Sequence, residues 1–99
     1  MHSAPYELAY DTDALKFLES VPPRKIKGQI KRRIDALAND PIPSGAKKLQ
    51  GITRKNGPIY RVRQGHYRIV YEVRDDTREV VILVIDHRKD AYRHDFTSG

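Results

Sequence analysis

Ninety-nine residues bound the protein to a single domain, expected over residues 1–99, with room for a modest core. Nineteen Lys and Arg against thirteen Asp and Glu give a formal net charge of +6, which points to an anionic partner such as nucleic acid. The absence of cysteine excludes a disulfide framework, thiolate chemistry and cysteine-based zinc sites.

The longest uninterrupted apolar run, Val80–Ile85, is far too short to cross a bilayer as a helix. Asp11, Asp13, Lys16 and Glu19 interrupt the first twenty residues, so no secretory signal is visible and a cytoplasmic location is expected.

In chain order, Tyr6, Leu8 and Tyr10 alternate with other residues and predict a first strand. Asp11 or Thr12 is placed to cap a short helix whose apolar side is Ala14, Leu15, Phe17 and Leu18, and Val21-Pro22-Pro23 stops it. Ile26, Ile30, Ile34 and Leu37 then form one stripe of a second helix reaching to about Asn39, with Pro23 near its first turn. The remaining faces of that helix carry Arg24, Lys25, Lys27, Lys31, Arg32 and Arg33: a solvated basic face, or one that follows a nucleic-acid backbone. Asn39-Asp40-Pro41 ends it.

Residues 41–58 hold three prolines and three glycines, show no period and read as a long loop. That loop contains Lys47, Lys48, Arg54 and Lys55 and no acid.

Three strands follow, joined by a two-residue turn at Gln64-Gly65 and another at Asp76-Thr77. The first turn would pair Arg61 with Arg68 and Arg63 with His66. The second would pair Arg68 with Ile85, His66 with His87 and Ile69 with Val84. Strict alternation along a strand then sorts the side chains onto two faces. One face is apolar: Tyr60, Val62, Tyr67, Ile69, Tyr71, Val73, Val80, Ile82 and Val84, to be covered by the helices. The other gathers Arg61, Arg63, His66, Arg68 and His87 beside Val70, Val81, Leu83 and Ile85. Arginines directly across a strand pair repel each other, so the row reads as an anion site completed by a phosphate, unless Glu72 and Asp86 pair with it.

The hairpin Gly65-His66-Tyr67-Arg68-Ile69-Val70-Tyr71 and the ending Ile85-Asp86-His87-Arg88-Lys89-Asp90-Ala91-Tyr92-Arg93 resemble the RelE family of bacterial and archaeal type II toxins, within the RelE/ParE superfamily. The resemblance covers nearly the whole chain. It implies an α+β fold of order β-α-α-β-β-β: a small, mainly antiparallel twisted sheet, two N-terminal helices on one face and a short C-terminal helix.

It also implies a ribosome-dependent endoribonuclease that cuts mRNA in the ribosomal A site, near 16S rRNA of the 70S particle. The expected chemistry is metal- and cofactor-independent attack of a 2′-hydroxyl on the scissile phosphate, leaving a 2′,3′-cyclic phosphate and a 5′-hydroxyl. By position Arg68 resembles the hairpin arginine that contacts the scissile phosphate, Arg88 the arginine after the last strand, and Tyr92 the C-terminal tyrosine. Arg61 stands where some members carry a catalytic lysine; because a guanidinium keeps its charge, it is expected to stabilise charge rather than move a proton. His87 is the best acid or base by intrinsic pKa.

RNA contacts are expected from Lys31, Arg32, Lys47, Lys48, Arg54, Lys55, Arg63 and His66. The resemblance implies a monomeric toxin that forms a hetero-oligomer with a RelB-like antitoxin. The other branch of the superfamily, ParE-like proteins that inhibit gyrase without cutting RNA, generally lacks this arginine and tyrosine constellation.

Overall fold

The computed structural model describes residues 5–49 and 57–87. The first strand, β1, spans Glu7–Tyr10 and is followed directly by α1, Thr12–Ser20, and α2, Arg24–Ala36. Asp11 occupies the N-cap of α1 as read from the sequence, but its side chain makes no capping hydrogen bond. Ala14 and Leu18 of α1 are buried. Pro23 caps α2, where its missing N–H costs nothing. The helix stops at Ala36, short of the expected Asn39, and the next residues wind on through tight turns, Asn39 N–H donating to Ala36 O. Ile30, Ile34 and Leu37 are fully buried, so the stripe is the core side of α2.

The stretch read as an unbroken loop contains a two-residue strand, β2, Lys47–Lys48. Then come β3, Ile59–Gln64, β4, Tyr67–Arg74, and β5, Glu79–His87. The sheet order is β1-β5-β4-β3-β2, with β1 parallel to β5 and every other pair antiparallel. The α+β architecture therefore stands as expected, with β2 as an added edge strand. The expected C-terminal helix lies outside the described residues.

One side of the sheet and the two helices enclose the core: Ala14, Leu18, Val21, Ile30, Ile34 and Leu37 meet Val62, Ile69, Tyr71, Val73, Val80, Ile82 and Ile85. Two anchors tie the connections to it. The Tyr71 hydroxyl donates to Pro41 O at 2.7 Å, holding the segment after α2. Gly57 passes so close to β4 that a methyl group on it would overlap the Val73 carbonyl, and Val73 N–H donates to Pro58 O at 3.0 Å.

The register departs from the expected one in two places. The β3–β4 turn is centred on Gly65-His66, not Gln64-Gly65, so Gln64 faces Tyr67, Arg63 faces Arg68 and Arg61 faces Val70. Gly65 has φ +58°, and His66 is not in the positive-φ region. This is the pattern of a type II′ turn, which places glycine first of the two central residues because that position needs the left-handed conformation. The shift moves every partner by two residues, so each side chain keeps its expected face.

The second departure has the opposite effect. From Arg74↔Glu79 to Tyr71↔Ile82 the β4–β5 pairing is as expected; a bulge between Val70 and Tyr71 then leaves Leu83 without a partner, and pairing resumes at Val70↔Val84, Ile69↔Ile85, Arg68↔Asp86 and Tyr67↔His87. One extra residue reverses the faces of everything after it. Ile85 therefore enters the core in place of Val84, His87 joins Tyr67 on the helix side, and Asp86 turns to the arginine side.

Candidate nucleic-acid interface

The face of the sheet turned away from the helices is organised in cross-strand rows. One row runs Lys47, Arg61, Val70, Val84, and the next runs Arg63, Arg68, Asp86. Directly opposed side chains have Cβ atoms about 5 Å apart, so Lys47, Arg61, Arg63 and Arg68 make one patch of four cations. Arg63 is exposed, Arg61 and Arg68 are half-buried, and Ile59, Val70 and Val81 form a buried apolar floor on the same face. Adjacent guanidinium groups on such a floor are poorly screened from each other, and their donor geometry is chemically suited to the paired acceptor oxygens of a phosphate.

Two carboxylates are buried in the described chain, Glu72 and Asp86. Glu72 is taken by Arg74, whose Nε donates to it at 2.8 Å. It does not serve the arginine row. Asp86 does lie in that row, as the cross-strand partner of Arg68.

His87 does not. Its ring stands edge-on to Tyr67 at 5.3 Å and nearly parallel to His66 at 6.0 Å, while Phe17 of α1 closes on Tyr67 at 6.2 Å. The four rings form an aromatic cluster at the hairpin end of the helix side. The reading of His87 as acid or base beside Arg68 assumed a shared face, and the bulge removes that premise. His66, exposed at the turn, belongs to the same cluster and not to the row.

Of the other predicted RNA contacts, Lys47 is brought to Arg61, and Lys48, the cross-strand partner of Tyr60, points to the opposite side of β2. Lys31 and Arg32 are exposed on α2, in the helical layer across the sheet from the arginines. Arg54, Lys55, Arg88 and Tyr92 lie outside the described residues.

The sequence names Lys47 as an RNA contact but places it on a loop, because two residues are too few to show a strand period. It names Asp86 only as an alternative partner of the arginines, because the bulge that sets it across from Arg68 leaves no mark in the apolar run. Among the described residues no group of three or more His, Asp or Glu could hold a metal ion. No helix among them is long and apolar enough to cross a membrane.

Comparison with known proteins finds this fold, a small mixed sheet backed by two helices, among RelE/ParE toxins. The family model described as ParE toxin of the type II toxin–antitoxin system parDE matches residues 8–92, and the chain belongs to that family. Toxin RelG of Mycobacterium tuberculosis (strain ATCC 25618 / H37Rv) is 32% identical over 89 residues, covering 90% of this chain and 98% of that protein.

Among solved structures, the archaeal RelE–RelB complex from Pyrococcus horikoshii OT3 superposes with a TM-score of 0.73 at 26% identity, over 85% of this chain and 96% of the other. The RelB–RelE antitoxin–toxin complex from Methanococcus jannaschii gives 0.65 at 30% identity, over 88% and 98%. The protein is thus a type II toxin whose relatives are RelE toxins.

Proposed function

We propose that the protein is a ribosome-dependent endoribonuclease that cuts mRNA in the A site and is neutralised by a RelB-like antitoxin in the cytoplasm. The observation that carries this reading is the patch Lys47, Arg61, Arg63 and Arg68, four cations from three adjacent strands on one face.

Cleavage by a 2′-hydroxyl forms the bond from its oxygen to phosphorus and breaks the bond to the 5′-oxygen, leaving a 2′,3′-cyclic phosphate. Negative charge accumulates on the phosphate oxygens as this happens. Fixed cations stabilise that charge more in the transition state than in the ground state. Arg68 and Arg61 are assigned this role, with Arg63 holding a neighbouring phosphate. Lys47, opposite Arg61, returns to the site the amine that Arg61 lacks: unlike a guanidinium, an amine can be tuned to exchange a proton. Arg88 and Tyr92 complete the assignment by resemblance.

The test is a purified translation reaction with analysis of the mRNA ends. Codon-positioned cuts bearing 2′,3′-cyclic phosphate and 5′-hydroxyl ends are expected. Arg68→Ala, which removes a charge but no core group, should lower the cleavage rate about 100-fold or more with an unchanged melting temperature. Because the matching family model is named for ParE, DNA gyrase supercoiling is assayed in parallel. Inhibited gyrase with intact mRNA would replace this reading by the gyrase one.

A further inference from the structure

We propose that the exposed ring of His66 is a stacking platform for one nucleobase of a bound RNA single strand, beside the arginines that hold its phosphates. RNA as the ligand class rests on the cleavage reading, whereas the ring geometry is independent of it.

His66 is the second central residue of the turn between β3 and β4 and is exposed there. After a leading glycine that position ordinarily takes Asn, Asp or Ser, so the turn itself does not call for an aromatic ring. The ring is nevertheless built in. It lies nearly parallel to His87, at 6.0 Å with 19° between the planes. His87 stands edge-on to Tyr67 at 5.3 Å, and Tyr67 meets Phe17 of α1 at 6.2 Å. All three separations lie in the range of mutually attracting aromatic pairs. Phe17 and Tyr67 pack against the core, so the series of rings runs from the core to the tip of the hairpin, with His66 as its outermost member. Phe17 and Tyr67 by themselves clasp the hairpin to α1; that contact does not account for the exposed ring at the end.

The neighbours of His66 give the ring its partner. Arg63 and Arg68 oppose each other one pair back from Gln64↔Tyr67, on the outer face of the sheet. His66 is two residues from Arg68, at most about 7 Å along the chain, and at the tip the two faces of the sheet meet. In RNA each phosphate is joined through a ribose to a base, so a strand whose phosphate lies on Arg63 and Arg68 brings a base to the tip. Unpaired bases stack on histidine as they do on Phe and Tyr, and because every base has a π-face the contact holds a strand without demanding one sequence. A ring already held by its neighbours loses little freedom when the base arrives.

The test uses the free protein and two probes. One is hexa-adenylate with 2′-O-methyl riboses, which cannot be cut because the attacking hydroxyl is blocked; the other is an abasic 2′-O-methyl ribose–phosphate oligomer with the same number of phosphates. At low salt the hexa-adenylate should move the His66 ring-proton NMR signals upfield, through the ring current of the stacked base, and bind about tenfold more tightly than the abasic oligomer. His66→Ala should abolish that difference and leave the affinity for the abasic oligomer unchanged, because the arginines remain. His66→Phe should preserve the difference. Both variants should melt with the wild type, since the position is exposed.

Equal affinities for the two probes in the wild type, or a difference that survives His66→Ala, overturns the proposal. Should His66→Ala disturb the hairpin, the wild-type ring-proton shifts and the His66→Phe affinities decide, and absent shifts or a difference lost in His66→Phe overturn it. The cleavage reading fails separately. If the translation reaction leaves mRNA intact while the His66 signals move as stated, the function is wrong and the stacking site stands. If mRNA is cut and the His66 signals ignore the base, the stacking site is wrong and the enzyme stands.

Discussion

Tyr71 shows how one residue joins packing to solution behaviour. It is fully buried, its ring stacks on Tyr60 at 6.0 Å, and its hydroxyl donates to Pro41 O. Burial raises its pKa above the ordinary 10.0, since a phenolate would lose its hydration there. A folded-state pKa above the unfolded value means the contribution is intact below pH 10 and is lost as pH climbs past it, when the unfolded chain ionises and the folded one does not. Tyr71→Phe removes the bond to Pro41 and should cost about 1 kcal/mol at pH 8. It also removes this source of alkaline loss, which for wild type is up to about 1.4 kcal/mol per pH unit above 10. The two proteins should therefore reach equal stability near pH 11, as checked by urea unfolding across pH 8–11. Tyr6 and Tyr10, whose pKa values are also raised, are present in both and leave the difference unaffected.

At the scale of the element, β5 carries both the clearest and the most misleading signal in the chain. Six consecutive apolar residues identify a buried strand, yet for the same reason say nothing about which residue faces which side: alternation is the information, and Val80–Ile85 has none. A bulge at Leu83 thus leaves no trace in the pattern, while it decides that Ile85 is core, that Asp86 stands across from Arg68 in the register and that His87 leaves the arginine face.

The hairpin before it behaved differently. There Arg61, Arg63 and Arg68 alternate with Tyr60, Val62, Tyr67 and Ile69, so the faces were legible even with the turn misplaced by one residue. Both helices were legible from their stripes; the two-residue strand β2 was not. Deleting Leu83 would remove the bulge and leave the pairs on either side of it in place, Ile85 still in the core and Asp86 still across from Arg68. This should cost no more than about 3 kcal/mol, the ordinary range of a change that strands no charge and opens no core cavity. Thermal unfolding followed by circular dichroism checks it; a loss above about 4 kcal/mol, the range of an unpaired buried charge added to a lost core side chain, would mean that the faces depend on Leu83 itself.

On the scale of the whole molecule, the positive charge is divided between two layers. The sheet's outer face holds Lys47, Arg61, Arg63 and Arg68, and the helical layer holds Arg24, Lys25, Lys31 and Arg32, exposed on α2 beyond the core. A flat ligand cannot touch both, because the core and the sheet stand between them. A large folded RNA that surrounds the protein can. Binding to such a partner should weaken steeply with salt, and each phosphate contact removed should lower the slope of log K against log salt by about 0.7 to 0.9. Replacing Lys31 and Arg32 together by Ala should therefore flatten the slope for ribosome binding by up to about 1.8 and raise KM, while kcat at saturating ribosomes stays that of wild type. Arg61→Ala and Arg63→Ala should flatten the slope comparably and lower kcat as well, since they stand at the proposed reacting phosphate and its neighbour. Filter-binding at a series of salt concentrations with single-turnover cleavage separates the two layers. A loss of kcat in the helix double variant would show that α2 reaches the reacting phosphate, and an unchanged slope would show that its basic face is only solvated.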